Sequence, residues 1–176
     1  HEVDGSEHVR FAIIGMGKLG AQELNYVSDV DLILVVEPAD MDTNGMALSR
    51  IGTKIATTLQ RVCQSVIMGV AEPTLWQIDG GLRPEGKDGP LIRRLESHEA
   101  YYEQWAENWE FQALLKARPV AGDTDLGQAY MDMTRPFVWT ASKRDNFVYD
   151  CQQMRKRVED LIPNPLKDRE IKLGRG

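Results

Sequence analysis

The chain has 176 residues, 42% of them hydrophobic and 27% charged, which is ordinary for a globular protein with one well-buried domain, or one domain and a helical appendage. A formal net charge of −6 argues against general affinity for nucleic acid, whose backbone is bound by Lys- and Arg-rich faces, but not against a nucleotide held through a divalent cation. Cys63 and Cys151 form no CxxC pair, which argues against a disulfide framework or zinc site and fits a reducing, cytoplasmic setting; no apolar run approaches the roughly 18 residues of a membrane span, and no signal peptide is visible.

The first residue is His1, not Met, and the last are Lys172-Leu173-Gly174-Arg175-Gly176, which reads as a piece of a longer protein. Residues 9–14 (VRFAII) are a short apolar run that stops at Gly15, as a buried strand does. Gly15-Met16-Gly17-Lys18-Leu19-Gly20 is a glycine-rich turn, and Ala21-Gln22-Glu23-Leu24 continues it as one or two helical turns until Asn25-Tyr26 breaks away. Residues 30–36 (VDLILVV) form the clearest strand, closed by Pro38 and Asp40. A long helix is predicted over 44–66, where Met46, Ile51, Ile55, Leu59, Val62 and Val66 recur near the helical period.

Residues 74–79 (TLWQID) are another strand candidate, followed by Gly80-Gly81 and a loop from Arg83 to Pro90. Ser97 is placed to cap a helix through Tyr101, Tyr102, Trp105 and Trp109, and a second helix runs to about Arg118, where Pro119 ends it. Asp123 caps a helix holding Leu126, Ala129, Tyr130 and Met133. A last helix, about 142–162, buries Phe147, Val148, Cys151, Val158, Leu161 and Ile162 and ends at Pro163. The fold class is α/β (α+β), a small mixed sheet followed by helices: a core over 8–122, then a helical extension over 123–176, truncated at its C-terminus.

Gly15-x-Gly17-x-x-Gly20 admits three readings. After an apolar strand it spells a dinucleotide-binding fingerprint, with Glu37 about where a ribose-binding acid belongs. Geometry counts against this, because a parallel crossover needs about ten helical residues and only Ala21–Leu24 precede the break. The second reading is a phosphate turn, in which glycine lets the main chain approach an anion at a helix N-terminus and Lys18 adds a point charge. The third is a glycine turn with no ligand.

Ser28-Asp29-Val30-Asp31-Leu32 opens the second strand, and strand residues two apart share a face, so Asp29 and Asp31 are expected to point together. A divalent cation resolves the repulsion between two such carboxylates; the alternative is a pair of solvated acids at a strand end. Asp79, ending a further apolar run, is a third candidate, and carboxylates on adjacent strands can hold two metal ions across a transferring phosphoryl group. The plain alternative for Asp79 is a turn residue before Gly80.

The order of these features (strand, glycine turn, short helix, Ser-Asp-x-Asp on a strand, then a third Asp) resembles the polymerase-β-like nucleotidyltransferase superfamily, with Gly17-Lys18 departing from its usual Gly-Gly or Gly-Ser. The longer string Gly15–Gly20, Glu23-Leu24-Asn25-Tyr26 and Ser28–Leu32 is similar to the glutamine synthetase adenylyltransferase/adenylyl-removing enzyme family. Asp79, Leu82-Arg83-Pro84 and Gly86 match that family's Asp-x-Arg-Leu-Arg-Pro-x-Gly, with Gly81 in place of the first Arg. Trp109-Glu110, Ala113-Leu114, Lys116-Ala117-Arg118 and Gly122-Asp123 extend the match, and Ile171-Lys172-Leu173-Gly174 resumes it.

The resemblance implies a nucleotidyltransferase that acts on glutamine synthetase, with Asp29, Asp31 and Asp79 as catalytic metal ligands for Mg²⁺ or Mn²⁺. Gly15, Gly17, Lys18, Gly20, Ser28 and Arg83 would then serve nucleotide (ADP or ATP) and phosphate, with PII regulatory proteins acting through other parts of the enzyme. Arg83 has a second reading, a surface loop Arg. Gly89-Pro90-Leu91, Tyr101-Tyr102-Glu103, Lys116-Ala117-Arg118 and the Ile-Lys-Leu-Gly ending are closer to the family's N-terminal half, which removes AMP by phosphorolysis; the alternative is the half that adds AMP from ATP. Arg93, Arg94, Lys116 and Arg118 face either phosphate or solvent. Trp105 and Trp109 read as helix-packing residues, and His1, His8 and His98 as surface residues. The rival classes are a dinucleotide-binding module and a non-catalytic regulatory domain.

Overall fold

A computed structural model describes residues 4–25, 28–41, 43–65 and 76–161. Its strands are Val9–Gly15 (β1), Val30–Pro38 (β2), Ile78–Asp79 (β3) and Arg118–Gly122 (β4), joined in one four-stranded sheet of order β3-β2-β1-β4. The helices are Gly17–Gly20 (α1), Gly45–Gln64 (α2), Leu95–Gln104 (α3), Asn108–Leu114 (α4), Thr124–Ala141 (α5) and Phe147–Leu161 (α6). This is the mixed α/β architecture expected from the sequence.

β2 is apolar on both faces because both faces are covered. Leu32, Leu34 and Val36 pack with Leu48, Ile51 and Ala56 of α2, while Ile33 and Val35 pack with Tyr102, Phe111, Leu126 and Tyr130 from α3, α4 and α5. β1 pairs antiparallel with β2, Val9 opposite Pro38 and Gly15 opposite Leu32. That pairing removes the dinucleotide reading, since a Rossmann unit needs parallel strands joined by a crossover helix and α1 has only four residues. Glu37 has a different use as well. Its carboxylate accepts from the Leu95 amide at 2.8 Å and Arg94 Nε at 3.2 Å, capping the start of α3.

That tertiary cap displaces Ser97, whose hydroxyl instead accepts from Arg93 Nη1. The local cap at Asp123 does form, its carboxylate accepting from the Leu126 amide at 2.8 Å. The helical turn after β1 occupies Gly17–Gly20, not Ala21–Leu24, because Gln22 takes a φ of 62° and turns the chain away. Arg118 is not a helix end: α4 stops at Leu114, and Pro119 lies in β4, an edge strand where a missing N–H does least harm.

On α2 the buried stripe is Leu48, Ile51, Gly52, Ala56 and Cys63, whereas Met46 and Val62 are exposed. Of the 74–79 candidate strand only Ile78 and Asp79 pair, with residues 74–75 outside the described residues, as are Val66, Ile162, Pro163 and the 171–174 motif. α6 begins at Phe147, which packs on the core, while Val148 is exposed and Cys151 half-buried; the side chains of Val158 and Leu161 lie outside what is described. Trp105 is 72% exposed, so it is not a packing residue; Trp109 is half-buried, with Nε1 donating to Glu107 Oε2 at 2.9 Å. Among the described residues no helix is long and apolar enough to cross a membrane.

His98 is buried, contrary to the surface expectation. Its ring stacks on Tyr102 and meets Tyr130 edge-on at 5.2 Å, with the Leu34 backbone the hydrogen-bonding group that acts on it. Burial first, and the Arg93 charge second, hold its pKa down to about 3. An unfolded chain takes up this proton near pH 6.5, whereas the folded one resists it, so stability falls as pH drops from about 6.5 toward about 3. His98→Phe is expected to flatten the acid side of the melting-temperature profile; a slope matching wild type between pH 6.5 and 4 would contradict that account. His8 is on the surface as expected, with Nδ1 2.9 Å from Asp40 Oδ2, and His1 lies outside the described residues.

Candidate functional site

The site is built where β1 ends beside the start of β2. The ladder continues one residue past Gly15, with the Met16 amide donating to the Asp31 carbonyl at 2.9 Å. Gly17 then opens α1 at φ 50°, a left-handed conformation that side chains disfavour. A Cβ at Gly17 would lie 2.7 Å from Asp31 Oδ2, so the Asp31 carboxylate rests against a bare α-carbon. Gly20 is needed for a different reason: a Cβ there would lie 1.8 Å from the Lys116 carbonyl oxygen, main chain packed on main chain. Lys18 is half-buried between them.

β3 lies parallel to β2 with Asp79 in register with Asp31. Directly paired strand residues project from the same face, so the two carboxylates are lateral neighbours. Asp79 Oδ1 accepts the Gly81 amide at 2.7 Å, which fixes its orientation, and a Cβ at Gly81 would come within 3.0 Å of the same oxygen. β2 begins at Val30, so Asp29 lies one residue before the strand and is exposed. Ser28 Oγ donates to the Asp29 carbonyl at 3.1 Å. Among the described residues, no group of three or more His, Cys, Asp or Glu side chains is close enough together to hold a metal ion.

Arg83 is half-buried. Its Nη1 donates to the Gly80 carbonyl at 2.8 Å, and Nη2 to the Lys87 and Gly89 carbonyls at 3.2 Å, so it ties the loop that leaves β3 to itself. The other cations divide clearly. Arg93 pairs with Glu85, Arg94 with Glu37 and Lys116 with Glu23, whereas Arg118 reaches the end of the glycine turn through the Leu19 and Gly20 carbonyls. Nothing local in the sequence separates these four. A cavity of about 520 Å³ between α4 and α6, lined by residues such as Trp109, Arg144, Tyr149 and Arg157, contains none of the candidate site residues.

Comparison with known proteins bears on this arrangement. Residues 1–133 match the family described as glutamate-ammonia ligase adenylyltransferase. The chain is 84% identical, over all of its 176 residues, to the bifunctional glutamine synthetase adenylyltransferase/adenylyl-removing enzyme of Bifidobacterium longum (strain DJO10A), and covers 16% of that protein. It is 53% identical over 167 residues to the protein of the same name from Cutibacterium acnes, covering 95% of this chain and 17% of that one. The Streptomyces avermitilis counterpart is 52% identical over 173 residues, 98% of this chain and 17% of its own. The chain therefore spans about a sixth of the length of these relatives.

Proposed function

This chain belongs to the glutamate-ammonia ligase adenylyltransferase family, and from that membership we propose that its site performs metal-dependent nucleotidyl transfer on glutamine synthetase, removing AMP from an adenylylated tyrosine by phosphorolysis. The observation that carries the metal-dependent part is the register of Asp31 with Asp79, together with the glycine seat beneath Asp31. Two carboxylates side by side would supply the hard oxygen donors that Mg²⁺ or Mn²⁺ takes. Bound there, the cation would neutralise charge on the α-phosphate.

In this reading the main chain of Gly15–Gly20, aided by Lys18 and Ser28, receives the inorganic phosphate that becomes the β-phosphate of ADP. A phosphate oxygen attacks the α-phosphorus, the bond from phosphorus to the tyrosine oxygen breaks, and that oxygen takes up a proton as tyrosine is regenerated. Arg83 serves by holding the loop beside Asp79 through its carbonyl contacts. The direction rests on the resemblance of Gly89-Pro90-Leu91, Tyr101-Tyr102-Glu103 and Lys116-Ala117-Arg118 to the deadenylylating half; the alternative is transfer of AMP from ATP. PII proteins would act through other parts of the enzyme, in the cytoplasm. Retention of all three Asp residues speaks against a non-catalytic regulatory domain.

The test uses the intact enzyme and its Asp31→Asn variant with adenylylated glutamine synthetase, Mg²⁺ and phosphate. Phosphate-dependent ADP release is expected from wild type and is expected to be lost in the variant. If the variant keeps that activity and instead loses ATP consumption, pyrophosphate release and modification of unadenylylated glutamine synthetase, the chain is the adenylylating half and the proposed direction is wrong.

A further inference from the structure

The glycine turn is held at its start by the β1 ladder and at its end by main-chain bonds and the Arg118 side chain. At the start, Gly15 is in the β1 ladder and Met16 donates to Asp31. At the end, Arg118 Nε donates to the Gly20 carbonyl at 3.1 Å and Nη2 to the Leu19 carbonyl at 3.2 Å. The main chain of Arg118 is itself opposite Gly15 in the β1–β4 ladder. Its guanidinium therefore spans the turn from the strand beside its first residue to the carbonyls of its last. Within the turn, the Met16, Gly17, Lys18 and Leu19 carbonyls accept from the Gly20, Ala21, Glu23 and Gln22 amides, so Arg118 is a second donor to Leu19 and the side-chain donor to Gly20. Helix-end carbonyls have no continuing helix to satisfy them, and a cationic donor there is both a hydrogen-bond partner and a favourable charge.

We infer that Arg118 is a positioning residue for this site, setting the pitch of the glycine turn and, through Gly17, the seat of the Asp31 carboxylate. Between the two anchored ends lies Gly17, against whose α-carbon Asp31 Oδ2 packs, so any pivot of the turn moves either the carboxylate or the surface offered to phosphate. Arginine suits the task because one planar fork reaches two neighbouring carbonyls, which a lysine ammonium does not do with the same geometry. Arg118 is not assigned a contact with substrate. That the turn's ligand is phosphate rests on the proposed function.

The experiment compares Arg118→Ala and Arg118→Lys in the intact enzyme, with amide hydrogen exchange over residues 17–21 read beside the kinetics. Arg118→Ala is expected to raise the KM for phosphate about tenfold and Arg118→Lys by less, with faster exchange at 17–21 in the same order. The KM for adenylylated glutamine synthetase is expected to stay within about twofold, a split that general loosening of the fold would not produce. If Arg118→Ala does not fold, Arg118→Lys carries the comparison. A phosphate KM within about twofold of wild type, unchanged exchange, or an equal rise in both KM values overturns the inference. If wild type proves to use ATP and not phosphate, the proposed direction has failed, and the same comparison is read on the KM for ATP.

Discussion

Asp31→Asn is expected to lower nucleotidyl transfer by this half of the enzyme about a thousandfold, corresponding to roughly 4 kcal/mol of lost transition-state stabilisation. Asp31 stands between the two features that define the site, in register with Asp79 on one side and against the α-carbon of Gly17 on the other. Asparagine has nearly the same shape, so the packing against Gly17 survives, but it offers a neutral oxygen where a cation needs an anionic one. The fold is expected to tolerate the change, because neutralising one of two neighbouring carboxylates removes like-charge repulsion. Circular dichroism would therefore show a native spectrum and a melting temperature equal to or above that of wild type. Activity within tenfold of wild type in a folded Asp31→Asn protein would remove Asp31 from the chemistry.

Gly17→Val is expected to be the second most damaging change, and to exceed Lys18→Ala by about tenfold or more in kcat/KM for phosphate. Two costs combine at this position. A β-branched residue at φ 50° is strained by roughly 1–2 kcal/mol, and its Cβ would fall 2.7 Å from Asp31 Oδ2. One of the two groups must yield, so the substitution acts on the carboxylate as well as on the turn. Lys18→Ala removes a charge and leaves the main chain where it was. If Lys18→Ala proves the more damaging, the ammonium contributes more to anion binding than the main chain does.

The parts of this architecture that were legible in sequence are those governed by local pattern. β1 and β2 announce themselves as apolar runs closed by Gly15 and Pro38, α2 by its period, and α5 by the Asp123 cap. The short Ala21–Leu24 stretch correctly counted against a parallel crossover, and the pairing is antiparallel. What failed depends on distant partners. Glu37 caps α3 from another element, so no local signal near Ser97 marks the start of that helix. Pro119 has the local signature of a helix stop, and its place in a strand depends on β4 being at the sheet edge.

The site shows the same division. Asp31 and Asp79 are candidates by type and setting, but their register depends on the β2–β3 pairing, and Asp29 lies one residue before β2. Arg83 stands out in the Leu82-Arg83-Pro84 motif, whereas nothing local ranks Arg118 above Arg93, Arg94 and Lys116; the structure separates Arg83 from Arg118 by which carbonyls they reach. His98 lies in the core, and the helical period carries the signal. It precedes Tyr102 by one helical turn, so a core assignment for that tyrosine carries His98 inward with it.

The central claim is that Asp31 and Asp79, side by side in the β2–β3 pairing, hold the cation. Its most direct test is a Mn²⁺ titration of the intact protein followed by electron paramagnetic resonance, for wild type and for Asp29→Asn, Asp31→Asn and Asp79→Asn, with circular dichroism confirming that each is folded. Loss of one anionic ligand is expected to weaken Mn²⁺ binding at this site by about tenfold or more in Asp31→Asn and in Asp79→Asn. Unchanged metal affinity in both of those variants would contradict the account.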